Sequence, residues 1–120
     1  MKYNEVGESG VLVSELGFGA WGIGGVSKGA TSYGNVEPQT ALDALRSAFS
    51  RGINFFDTAN VYGAGASETL IGQAFSGMRS QVVISSKIGL VDFDTKLIMD
   101  AQSMRGSVLD SLRRLGTDYI

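Results

Sequence analysis

The order of elements in this chain predicts an α/β fold, a β-hairpin followed by β-α-β-α-β-α-β. Apolar, strand-like runs alternate strictly with segments of helical period, and the unit repeats at roughly 30 residues, the length of one βαβ step. Such alternation implies a parallel sheet with right-handed crossovers. An open doubly wound sheet and the start of a (β/α)8 barrel both satisfy it. The hairpin ahead of the first unit favours the barrel, with the hairpin plugging its bottom. A full barrel needs about 250 residues, and the sequence has 120. The expectation is therefore one partial domain over residues 1–120, the N-terminal portion of a (β/α)8 barrel ending in its fourth strand.

Each element has a local reason. Lys2 to Val6 and Val11 to Val13 are short extended runs separated by Gly7-Glu8-Ser9-Gly10, which predicts a hairpin with a loop of about four residues. Leu16 to Gly19 reads as the next strand. From Ala20 to Val36 there is no helical period, so a long loop is expected, and long ordered loops are usually functional. Eight of the seventeen glycines fall between Gly7 and Gly29, where the backbone must bend tightly or approach something closely. Pro38 opens a helix at its first position with Glu37 as its cap, and Ala41, Leu42, Leu45, Ala48 and Phe49 line one face before Gly52 ends it.

Ile53 to Asp57 is the next strand, unalternating and so expected to be buried on both faces. Ser67 to Phe75 reads as a short helix capped by its serine, with Leu70, Ile71, Ala74 and Phe75 inward. Val82 to Lys87 is a further strand, and Phe55, Val83 and Ile84 are expected to face the barrel interior. Asp100 to Leu115 is a helix with Met104, Val108, Leu112 and Leu115 on one stripe and Gly116 as its stop. Arg113-Arg114 then reads as the cationic last turn of that helix. Residues 117–120 open a fourth strand.

Composition excludes several chemistries. There is no cysteine and no histidine, so disulfides, thiol catalysis, a Ser-His-Asp triad and His-ligated metals cannot be built from these residues. The net charge of −2, with no basic run, gives no footprint for nucleic acid or an anionic membrane. The start lacks the apolar core of a signal peptide, so a globular cytoplasmic protein is expected. Asp92-Phe93-Asp94 resembles a metal pair only superficially, having no neighbouring ligands.

Chemistry is expected where apolar strands end in polar residues. Asp57 closes Asn54-Phe55-Phe56-Asp57, Lys87 follows Val82-Val83-Ile84-Ser85-Ser86, and Tyr62 stands shortly after Asp57. A phenol releases its proton near pH 10, too reluctantly for neutral pH. An ammonium about 4 Å away interacts by roughly 4 kcal/mol at an effective dielectric near 20, about three pKa units. Lys87 would thus bring Tyr62 towards neutrality, and Asp57 would keep Lys87 charged. Taken singly, Asp57 is an Asx turn and Tyr62 a packing residue; Lys87 is harder to explain away, since burying an unpartnered lysine is costly. A strand-end lysine discharged by burial is also a Schiff-base nucleophile, which keeps an aldolase open at this stage.

Gly17-Phe18-Gly19-Ala20-Trp21-Gly22 satisfies G-x-G-x-x-G after a strand. It fails the dinucleotide-fold context, because the third glycine opens no helix and the sequence instead continues into more glycine-rich loop, with no acidic strand end about 20 residues on. Trp21 instead suits the wall of a ligand cleft.

Five segments in order resemble the aldo-keto reductases: Leu16 to Gly22, Gly52 to Ala59, Tyr62-Gly63 with Ser67-Glu68, Val83 to Lys87, and Ser111 to Ile120. The resemblance implies a (β/α)8 barrel closed below by a hairpin, and hydride transfer between NADPH, or NADH, and an aldehyde, ketone or aldose. It implies Tyr62 as the acid, Lys87 and Asp57 as its support, Ala20 and Trp21 near the nicotinamide and the carbonyl pocket, and Asp57 near the nicotinamide ribose. The family's catalytic histidine and most of its phosphate contacts lie beyond the fourth strand, so the remainder of the barrel is expected from a longer chain. Some relatives associated with ion channels are regulatory subunits, a second reading that the resemblance leaves open.

Overall fold

Gly7 to Gly10 turn the chain between two short antiparallel strands, β1 (Tyr3–Glu5) and β2 (Leu12–Ser14), with Tyr3 opposite Ser14 and Glu5 opposite Leu12. The turn is closed where Val6 N–H donates to the Val11 carbonyl at 2.9 Å and Gly10 N–H to the Glu5 carboxylate at 2.6 Å. The computed structural model describes residues 1–26, 33–91, 97–98 and 100–120.

Three parallel strands follow: β3 (Phe18–Gly19), β4 (Phe55–Asp57) and β5 (Val83–Ser85), with β4 in the centre. The register pairs Gly19 with Asp57, and Asp57 with Ser85. Helix α1 (Pro38–Ser50) joins β3 to β4, α2 (Ala66–Ala74) joins β4 to β5, and α3 (Ala101–Leu115) follows β5. The hairpin is fastened to the opposite end of the sheet from Asp57. Asn54, just ahead of β4, accepts from Ser14 N–H at 2.7 Å and donates to the Leu12 carbonyl at 3.0 Å, and Tyr3 donates to the Gly52 carbonyl at 2.8 Å.

Period-2 alternation decides which strand residues are buried. Phe56 and Ile84, paired across β4 and β5, point at the helices and are buried with Leu45, Ile71, Phe75 and Leu115. Phe56 lies 4.5 Å from Phe75 and 5.9 Å from Phe18, ring centre to ring centre. Burying each such ring contributes roughly 1.5–3 kcal/mol. Phe55 and Val83 point the other way and are half-buried. Two expectations are corrected here. Strand β4 is not buried on both faces, and Ile84 belongs to the helix-facing core rather than to the inward face of Phe55 and Val83. The apolar run concealed an ordinary alternation, because both faces carry phenylalanine.

The helices start and stop close to their sequence signals. Pro38 is the first residue of α1, although Glu37 makes no side-chain capping bond. Asp100 caps α3 by accepting from Ser103 N–H at 2.8 Å, and that backbone bond holds its carboxyl below the usual carboxylate range. Gly116 ends α3 in the left-handed region. By contrast α2 begins at Ala66 behind Gly65, and Ser67 is no cap: it lies inside the helix, fully buried.

Two further expectations change. Ala20–Ile23 is a 3-10 turn rather than open loop, and residues 27–32 of that loop lie outside the described residues, as do Asp92 and Asp94. Residues 117–120 form no strand ladder. Arg79 takes up that segment instead, its guanidinium 3.9 Å over the Tyr119 ring and donating to the Tyr119 carbonyl at 2.9 Å.

Candidate active site

Parallel strands deliver consecutive carboxyl ends to one edge of the sheet, so residues far apart in sequence meet there. Asp57 is the last residue of β4, and Lys87 follows the end of β5 by two positions. The Lys87 ammonium donates to Asp57 Oδ2 at 2.6 Å and to the Thr58 carbonyl at 2.9 Å. It also stands 5.1 Å from the centre of the Tyr62 ring. Tyr62 opens a 3-10 turn, Tyr62–Gly65, directly after β4. The three residues singled out from the sequence are therefore together.

Lys87 is less enclosed than expected. Its side chain is 51% exposed and that of Asp57 37%. Burial works against the charged form, but hydrogen bonds and charge from Asp57 and Tyr62 outweigh it, so the Lys87 pKa is raised above its ordinary 10.5. Lys87 is thus a firmly held ammonium at neutral pH. A Schiff-base nucleophile needs a free amine, and this geometry does the opposite of supplying one.

Trp21, expected to wall a ligand cleft, is grouped with two other aromatic rings. Trp21 lies 6.5 Å from Tyr62 and 5.6 Å from Tyr33, ring centre to ring centre. Its indole N–H is buried with no hydrogen-bond partner among the described residues. Ala20 is fully buried in the core, with its carbonyl accepting from Ser67. Among the described residues no cluster of three His, Cys, Asp or Glu side chains could hold a metal, and no helix is long and apolar enough to cross a membrane.

Sequence reasoning took Ser67-Glu68 only as a helix start and assigned no bonding partners to the polar residues behind the site. Ser67 Oγ donates to the Ala20 carbonyl at 2.9 Å and lies 2.9 Å from Thr58 Oγ1. With its single proton committed to Ala20, Ser67 accepts from Thr58. Glu68, also fully buried, accepts from Ser86 Oγ at 2.5 Å and from Arg114 Nε at 2.7 Å. The signal that could have found them was a Ser-Glu pair inside an otherwise apolar helix face, where unpartnered burial would be costly.

A family model, the aldo/keto reductase family, matches residues 15–120. The chain belongs to the aldo-keto reductases. The NADH-specific methylglyoxal reductase of Escherichia coli (strain K12) is 35% identical over all of this chain, which spans 40% of that protein. A solved aldo-keto reductase from Bacillus halodurans, in its holo form, superposes with a TM-score of 0.81 at 31% identity, covering 100% of this chain and 38% of that one. Another from Klebsiella pneumoniae, in complex with NADPH, has a TM-score of 0.69 at 30% identity over 91% of this chain and 34% of its own. The chain thus spans well under half the length of the relatives it matches, and its β-α order is that of the N-terminal portion of their barrel.

Proposed function

We propose that this segment supplies the proton-donating part of an NAD(P)H-dependent carbonyl reductase, acting on an aldehyde, ketone or aldose or on the alcohols they form. The observation that carries this reading is the Lys87 ammonium, fastened by Asp57 and the Thr58 carbonyl and set beneath the Tyr62 ring. An ammonium has three protons. Two are taken by Asp57 and Thr58, and the third is left for the Tyr62 hydroxyl.

Tyr62 donates a hydrogen bond to the substrate carbonyl oxygen and passes its proton across as negative charge builds there. Lys87 stabilises the phenolate left behind, and does so without reorganising, because its position is already set. Asp57 keeps the ammonium charged and aimed. Trp21 walls the cleft on the side of Tyr62 and excludes water from it. A bound nicotinamide, NADPH with NADH as the alternative, supplies the hydride. The residues fit such a group: the half-exposed Asp57 carboxylate can accept from a ribose hydroxyl, and the buried, unpartnered Trp21 N–H marks a polar demand at the cleft wall.

In this reading residues 1–120 act as one partial barrel domain in a cytoplasmic protein, and the remaining units, with further phosphate contacts, come from a longer chain. Two of the three relatives named above support it, one described as a methylglyoxal reductase and one in complex with NADPH. The test is NADPH and NADH oxidation by the complete barrel, followed at the nicotinamide absorbance with methylglyoxal, benzaldehyde and an aldose. Turnover with at least one pair is expected; none with any pair would overturn the reading.

A further inference from the structure

Four polar side chains in this small core carry no apolar role: Thr58, Ser67, Glu68 and Ser111 are each 0% exposed. Burying polar groups is unfavourable unless every one is bonded, and an apolar replacement of a buried ion pair is often as stable or more so. Stability alone is therefore a weak account of Ser67 and Glu68. Their partners suggest a better one.

Ser67 reaches the end of β3 through the Ala20 carbonyl, next to Trp21, and the end of β4 through the Thr58 hydroxyl, next to Asp57. Glu68 reaches the end of β5 through Ser86, next to Lys87. Its other oxygen is anchored by Arg114 from α3. Two consecutive residues in the first turn of α2 thereby touch all three strand ends that bear the candidate site. Thr58 closes the circuit, because its hydroxyl is held by Ser67 while its carbonyl holds the Lys87 ammonium at 2.9 Å.

We propose that Ser67 and Glu68 are positioning residues, which lock the ends of β3, β4 and β5 in register and so hold Trp21, Asp57 and Lys87 against Tyr62. The proposal rests on the carbonyl-reductase reading for its effect on rate, but its geometric content does not. A misplacement of about 1 Å at a reacting group can cost 10²-fold in rate, and the Ser67-Thr58-Lys87 and Glu68-Ser86 links are the connections that prevent it.

Shape and hydrogen bonding can be separated at Thr58. Thr58→Ser keeps the hydroxyl and loses a methyl; Thr58→Val keeps the shape and loses the hydroxyl. In the complete barrel, Thr58→Ser should retain kcat within about threefold, whereas Thr58→Val, Ser67→Ala and Ser86→Ala should each lose about tenfold or more in kcat, with the cofactor KM changed less than twofold. The alkaline limb of the kcat pH profile should move in the latter three, since Lys87 is no longer held against Tyr62. A packing role predicts the reverse order at Thr58 and an unmoved limb, and either result would overturn the proposal.

A second readout needs no turnover. Site-resolved labelling by trinitrobenzenesulfonate, read by mass spectrometry at Lys87, should rise about threefold or more in Thr58→Val and Ser67→Ala but not in Thr58→Ser. Unchanged labelling sinks the positioning role whatever the activity. Changed labelling in a protein that reduces no carbonyl would retain the positioning role and reject the functional reading. Should Ser67→Ala not fold, the Thr58 pair and Ser86→Ala decide.

Discussion

Gly24 and Gly63 meet backbone to backbone, so closely that a Cβ on Gly63 would fall onto the Gly24 carbonyl, and a Cβ on Gly24 would come within 2.8 Å of the Tyr62 carbonyl carbon. This contact brings the turn that carries Trp21 against the turn that carries Tyr62. It explains part of the glycine cluster near the N-terminus: the backbone there approaches another backbone, and a side chain at either point would push the aromatic wall off the site.

Gly63→Ala should therefore cost more than a left-handed glycine usually does. Gly63 has φ +62 and no room, while Gly10 has φ +74 and nothing within 4 Å of an added Cβ. Strain alone predicts about 1–2 kcal/mol for Gly10→Ala. At Gly63 the clash adds about 1–3 kcal/mol more. Thermal or urea unfolding of the two variants side by side checks this, and equal losses would refute the close-contact account.

Tyr62→Phe should reduce carbonyl turnover by about 10²–10⁴-fold, the usual contribution of a positioned general acid. The ring remains, so the contact with Trp21 and the affinity for NADPH should change little. Steady-state kinetics and a cofactor titration on the same preparation measure both. A variant with near-normal turnover removes Tyr62 from the proton-donating role.

Lys87→Met should likewise abolish reduction, and it carries a pH signature. The folded-state pKa of Lys87 is raised above 10.5 by Asp57 and Tyr62 against the opposing effect of burial. A raised folded pKa means the stabilisation is fully present below about pH 10.5 and is lost as pH rises through the folded value. The difference in melting temperature between the wild type and Lys87→Met should therefore be constant from pH 7 to 9 and shrink above about pH 10.5. A difference that shrinks on acidification below pH 9 instead would contradict the assignment.

Arg113 and Arg114 are neighbours with opposite expected consequences. The Arg113 side chain is 75% exposed in its pair with Asp110, whereas Arg114, 29% exposed, is paired with the fully buried Glu68. Arg113→Ala should alter stability by no more than about 0.5 kcal/mol. Arg114→Met strands a buried carboxylate and should cost about 3–5 kcal/mol. Chemical denaturation of both variants distinguishes them, and comparable small losses would mean that the Glu68–Arg114 pair is not what sustains the buried carboxylate.

Much of this molecule could be read locally. The hairpin, the three parallel strands and the three helices follow from short-range signals: glycine at 7 and 10, proline at 38, aspartate at 100, glycine at 116, and apolar periods of 2 and 3.6. The candidate site was legible for the same reason. Asp57 and Lys87 end apolar runs, and parallel strands bring such ends to one edge.

Four things depended on contacts the sequence does not advertise. Which face of β4 is buried turned on where α1 and α2 pack, since phenylalanine occupies both faces. The fourth strand, expected at residues 117–120, forms no ladder, and Arg79 holds Tyr119 there instead. Ser67 looked like a cap and Arg114 like a dipole partner, because each plays that part well in an isolated helix. In the folded protein Glu68 and Arg114, 46 residues apart, are brought together as α2 packs on α3. Periodicity and punctuation are properties of neighbouring residues, so the sequence by itself determined the elements and the edge where the candidate residues gather. Which polar side chains are buried together is a property of packing between distant segments, and the cost of burying a charge without its partner is what made the tertiary structure decide it.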